Sequence, residues 1–89
     1  MIRDRLEIVN VKGLHARASA KLVEVVEQHD AIAYVEKDGM RVSGDSIMGL
    51  LMLAASEGSF IEVEIAGPDE EALAAALRDL VADKFGEGM

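Results

Sequence analysis

The chain has no cysteine and no tryptophan, and its only aromatic residues are one tyrosine and two phenylalanines. Without a thiol there is no disulfide framework, no thiolate metal site and no cysteine nucleophile. That agrees with a reducing compartment. Basic residues are also scarce, with 9 lysines and arginines against 17 acids and a net charge of -8. Such a field repels phosphate backbones and anionic membrane surfaces out to about a Debye length, so no nucleic-acid partner is expected. Long apolar runs are missing too. The longest, Ile47 to Ala55, is interrupted by Gly49 and is under half of the roughly 20 residues that a membrane span requires. The start, Met1-Ile2-Arg3-Asp4-Arg5, lacks the apolar stretch of a secretory signal. These absences read as a cytoplasmic, soluble protein with no membrane insertion.

What is present suits one globular domain over residues 1–89, since 51% of the chain is apolar and 29% charged. Ile2, Leu6 and Ile8 share one parity and Arg3, Arg5 and Glu7 the other, the period of a half-buried strand with Asp4 as the exception. From Ala16 to about Gln28 the period becomes helical, with Ala18, Leu22, Val25 and Val26 on the inner stripe. Ala31 to Lys37 and Met40 to Ser43 flank Asp38-Gly39, a pair suited to a two-residue hairpin turn. Ser46 can cap a short helix from Ile47 to Ala54, which Gly58 would end. Ile61, Val63 and Ile65 alternate with Phe60, Glu62 and Glu64 in the clearest strand, which Gly67-Pro68 stops. Asp69 can cap a last helix whose buried stripe is Leu73, Leu77, Leu80 and Val81, and Gly86 and Gly88 are expected to fray the tail.

The order is β-α-β-β-α-β-α, without repeats or linkers. It predicts an α+β two-layer sandwich. Its strands alternate instead of running continuously apolar, so the sheet should be antiparallel with one face under helices and one in water.

Chemistry is concentrated in Gly13-Leu14-His15-Ala16-Arg17, at the junction of the first strand and first helix. The leading amides of a helix have no internal acceptor and carry about half a positive charge, so an anion held there is stabilised. A phosphoryl group on His15 would be such an anion. The same helix end disfavours the imidazolium and leaves a neutral ring with a nucleophilic nitrogen. Arg17 can offer a planar fork of donors to phosphoryl oxygens, and Gly13 allows a tight backbone. Lys12, His15, Arg17 and Lys21 lie in a window, Val11 to Val23, that contains no acid. A histidine at a helix start is also a common cap or surface residue.

Metal binding and a cofactor are not expected, because His29 is the only other histidine. A serine hydrolase would need Ser19 or Ser46 beside His15, which spacing does not give. No second acid or base is placed near His15, and there is no phosphate-binding P-loop, so the chain reads as a carrier and not an enzyme. Ser46 reads as a helix cap, a role compatible with modification beside the apolar Ile47, Met48 and Leu51. Met48 and Met52 read as partial core residues.

Gly13-Leu14-His15-Ala16-Arg17 together with Ser46-Ile47-Met48-Gly49 resembles HPr, the histidine-containing phosphocarrier family of the bacterial sugar phosphotransferase system. The likeness spans nearly the whole chain and extends to NPr, the carrier of the nitrogen-related branch. It implies an open-faced β-sandwich of four antiparallel strands covered by three helices. It implies that Nδ1 of His15 is phosphorylated by enzyme I and passes the group to an enzyme IIA protein, with Arg17 stabilising it. Ser46 matches the serine modified by HPr kinase/phosphorylase. Ile47, Met48 and Leu51, with Ala16 and Ala20, match the docking surface of a monomer. Ala18 stands where the family commonly has proline, so the helix should persist while the His15 loop becomes more mobile.

Two rival readings use other features. In one, Ser46 is the operative residue of a regulatory module that docks to a transcription factor or enzyme. In the other, β-α-β-β-α-β is a ferredoxin-like RNA-binding domain, against which stand the acidic charge and a lack of strand aromatics for stacking.

Overall fold

The first strand alternates as its sequence does. In the computed structural model, which describes residues 1–88, β1 covers Ile2–Glu7 and turns Ile2, Asp4 and Leu6 inward. Asp4, the polar exception on that face, is paired at 2.6 Å with Arg78 from the covering helix layer. The remaining elements are α1 (Ala16–Glu27), β2 (Ile32–Lys37), β3 (Met40–Ser43), α2 (Ile47–Met52), β4 (Phe60–Ala66) and α3 (Glu70–Ala82). A single 3₁₀ turn over Lys84–Gly86 follows.

The four strands form one antiparallel sheet in the order β1-β4-β2-β3. Both β1 and β2 pair antiparallel with β4, so they run parallel to each other with β4 between them. Asp38 and Gly39 take φ of 52° and 83°, the paired positive angles of the expected hairpin turn. The inward face presents Ala33, Val35, Ile61, Val63 and Ile65 to Leu22, Val26, Leu73 and Leu77 of the helices, all of them buried. The outward face sets charged residues around the exposed Ile32, Tyr34 and Phe60; Glu64 there pairs with Arg3 at 3.0 Å and with Arg41 at 2.9 Å. This is the α+β open-faced arrangement that the alternation predicts.

Several local expectations are corrected. In α1, Ser19 and Val23 are buried and Val25 only half-buried, because the stripe follows both the sheet and the neighbouring helices. In α3, Ala74 is buried and Leu80 half-buried. Helix α2 stops at Met52, with Ala54 at a φ of 52°, well before Gly58. Asp69 precedes α3 but caps nothing with its side chain. Its Oδ2 instead accepts the Asp30 amide at 2.8 Å and ties the α1–β2 loop to the start of α3. Ser46 does cap: its Oγ accepts the Gly49 amide at 3.0 Å. Met48 and Met52, expected in part in the core, are 71% and 62% exposed because α2 buries only Leu50.

The tail is the largest correction. Instead of fraying, it folds back. Phe85 is completely buried, and Lys84 and Phe85 both adopt positive φ, 56° and 55°. Such angles cost a side-chain-bearing residue on the order of 1 kcal/mol or more and persist only where packing over-determines them. Phe85→Ala is therefore expected to lower unfolding stability by about 3–5 kcal/mol, measured by urea denaturation. A loss below about 1 kcal/mol would mean that the tail is not part of the core.

Candidate functional site

The loop from Val9 to Leu14 is drawn against the segment that leaves α2. Leu14 donates its amide to the Ala55 carbonyl at 2.8 Å. Gly13 has a φ of 66°, and a Cβ there would lie 2.5 Å from the Ala55 carbonyl oxygen. Only glycine fits this contact. Asn10, fully buried, accepts the Gly13 amide through its backbone carbonyl and donates its side-chain Nδ2 to the Gly13 carbonyl at 2.8 Å.

This loop places His15 as the residue before α1, in extended backbone conformation. Its carbonyl takes the first helical hydrogen bond, from Ser19 at 2.8 Å. The ring caps no amide, so the free N–H groups of the first turn remain available to an anion. Arg17 is exposed on that turn and pairs with no carboxylate among the described residues. Ala16 and Ala20 are exposed on α1, and Ala18 is buried inside an intact helix, as its propensity predicts.

An acid enters this region from far along the chain. Nε2 of His15 is hydrogen-bonded to Oε2 of Glu87, 72 residues away. The other oxygen of Glu87 accepts Nδ2 of Asn10 at 3.0 Å. Lys21 donates Nζ to the Phe85 carbonyl at 2.5 Å and fastens the same segment to α1. The window that holds no acid in sequence therefore holds one in space, Lys21 is engaged with the tail, and a carboxylate stands beside His15 after all. The Glu87 side chain is only 5% exposed. Its carboxyl is held below the usual range, first by the hydrogen bond from His15, then by that from Asn10, against the opposing effect of desolvation.

The other candidates are distributed differently. Ser46 shares no hydrogen bond with His15 and lies at the start of α2, beside Ile47, Met48 and Leu51, which are 42%, 71% and 37% exposed. Ser19 is buried and donates Oγ to the Leu14 carbonyl, and His29 binds the Val25 carbonyl through Nδ1 at 2.7 Å. Neither meets the His15 ring. Among the described residues no group of three or more His, Asp or Glu side chains could hold a metal. Tyr34 and Phe60 correct the expectation that the strands lack aromatics, but Arg41 and Arg5 each lie 4.3 Å above those rings. Sequence reasoning missed Asn10 and Glu87. Phe85, a lone large apolar residue among tail glycines, was the available signal.

The chain matches the model of the PTS-HPr family, described as the PTS HPr component phosphorylation site, over residues 2–83. The chain belongs to the HPr family. It is 48% identical over 88 residues to phosphocarrier protein HPr of Neisseria meningitidis serogroup A, covering 99% of each chain. It is 38% identical over 87 residues to phosphocarrier protein NPr of Escherichia coli K12, covering 97% of each. The crystal structure of HPr-C-His from Thermoanaerobacter tengcongensis superposes with a TM-score of 0.95 at 39% identity, covering all of both chains. HPr proteins are phosphocarriers of the phosphotransferase system, which agrees with the carrier reading of the sequence. No helix among the described residues is long and apolar enough to cross a membrane.

The Glu87 contact carries a pH signature. A carboxyl whose folded-state value is lowered stabilises the fold above the usual carboxylate range, and that contribution is lost as pH falls through the lowered value. Glu87→Gln should differ most from the wild-type chain near neutrality, with the gap in unfolding stability closing from about pH 5 downward. A gap that is constant with pH would show that the Glu87 charge contributes nothing.

Proposed function

We propose that this HPr-family protein accepts a phosphoryl group on Nδ1 of His15 from phosphorylated enzyme I and passes it to a histidine of an enzyme IIA protein, acting as a monomer. The observation that carries this reading is the placement of His15 directly before the free amides of α1, with Arg17 exposed and unpaired by any carboxylate on the same turn. A phosphoryl group arriving there gains the helix end and can recruit the guanidinium. The energy of transfer comes from the donor, so the chain is consumed and regenerated as a substrate of both partners. Ala16 and Ala20 on α1, with Ile47, Met48 and Leu51 on α2, form the docking surface, apolar around a charged centre. A cytoplasmic location follows from this role.

Incubation with phosphoenolpyruvate and enzyme I should add one acid-labile phosphoryl group, and His15→Ala should add none. Labelling that persists in His15→Ala would sink the assignment. Arg17→Ala should still be labelled, but more slowly.

A second reading concerns Ser46, and the observation that favours it is the half-buried hydroxyl at a helix start beside exposed apolar side chains. Phosphorylation by an HPr kinase/phosphorylase would add charge next to the docking surface and weaken it. Ser46→Ala should cost about 1 kcal/mol through loss of the cap and abolish modification by the kinase. A kinase that leaves the wild-type Ser46 unmodified reduces the residue to its capping role.

A further inference from the structure

We propose that Glu87 is a positioning residue for His15, holding the ring in the Nε2–H tautomer so that the lone pair on Nδ1 is the nucleophile for phosphoryl uptake. The inference rests on the carrier reading above and adds a residue that the helix-start motif does not contain.

The chemistry of the contact decides the tautomer. An ionised carboxylate only accepts hydrogen bonds, so its bond to Nε2 requires the proton to be there. A neutral ring protonated at Nε2 has its free lone pair on Nδ1. Among the described residues nothing donates to that atom, and the ring caps no helix amide.

The carboxylate is itself fixed. Nδ2 of Asn10 holds its second oxygen, and Asn10 is completely buried and bound to the Gly13 carbonyl. Asn10 Oδ1 is left with no partner. An amide that faces both the Gly13 carbonyl and the Glu87 carboxylate must present its nitrogen to them, so the unpartnered oxygen follows from holding Glu87. Phe85, buried two residues earlier, and Lys21, bound to its carbonyl, anchor the tail on the other side. A side chain held this way differs from an exposed ion pair, whose two partners keep most of their freedom.

The charged groups around the ring come from three elements: Glu87 from the tail, Lys12 from the loop, and Arg17 and Lys21 from α1, together with the amide end of that helix. In the transfer, the Nδ1 pair forms the bond to phosphorus as the bond from phosphorus to the donor atom breaks, and the donor keeps that pair. The Nε2 proton stays in place. The ring, substituted on one nitrogen and protonated on the other, becomes cationic, and the Glu87 carboxylate offsets that charge. Discharge to an acceptor restores the neutral Nε2–H ring, so neither direction requires a proton to move.

The test uses the full chain with ¹⁵N-labelled histidine, observed by NMR above about pH 8, where an ordinary imidazole is neutral. The wild-type His15 ring should show the Nε2–H tautomer. In Glu87→Gln the amide oxygen faces Asn10 and the NH₂ faces Nε2, so that nitrogen must accept and the ring should reverse to Nδ1–H. Phosphoryl uptake from phosphoenolpyruvate and enzyme I should fall by about tenfold or more, as for other residues that set a histidine tautomer. Glu87→Ala, with no group in place, should give a tautomer mixture and an intermediate rate. The same tautomer in the wild-type and Gln proteins overturns the inference, as does a reversed tautomer with unchanged uptake. Failure of the wild-type chain to take a phosphoryl group on His15 would instead overturn the carrier reading, with the tautomer comparison still deciding the contact.

Discussion

Burial of the inward sheet face beneath α1 and α3 fixes where α1 can begin, and therefore where His15 stands. Ala18, Leu22 and Val26 are held against the sheet and the neighbouring helices, so the start of the helix cannot slide without exposing them. The loop before it must then cover a set distance, and it does so by pressing Gly13 onto the Ala55 carbonyl. The same core accepts Phe85. One packing arrangement thus sets both the ring and the carboxylate that meets it.

Most of the architecture was legible because each face has its own period. The strand alternation at Ile61, Val63 and Ile65, the Asp38-Gly39 turn and the Ser46 cap are local signals, and the structure contains all three. Errors came where a residue had two possible partners. Asp69 could bond its own helix or the Asp30 amide, and tertiary structure chose the second. Met48 and Met52 have the composition of a core, but α2 is too short to bury more than one stripe.

The site was half legible for a related reason. His15 before a helix with Arg17 in its first turn is a short-range pattern, whereas the link to Glu87 spans 72 residues and leaves no trace in spacing. Two glycines in the tail suggested disorder. Their conformational freedom instead accompanies the turn by which the chain reverses onto α1. The result is a ring set at the start of a helix and hydrogen-bonded to a carboxylate from the far end of the chain.

The position of β4 has a consequence for synthesis of the chain. It lies inside the sheet between β1 and β2, yet it is the last strand in sequence. Among the described residues β1 has no other strand to pair with. A nascent chain ending before residue 60 therefore contains the histidine and its helix but only an isolated hairpin for a sheet, which is marginal in water. Folding must wait for long-range pairing, so synthesis has to pass the last strand before the sheet can close around its centre.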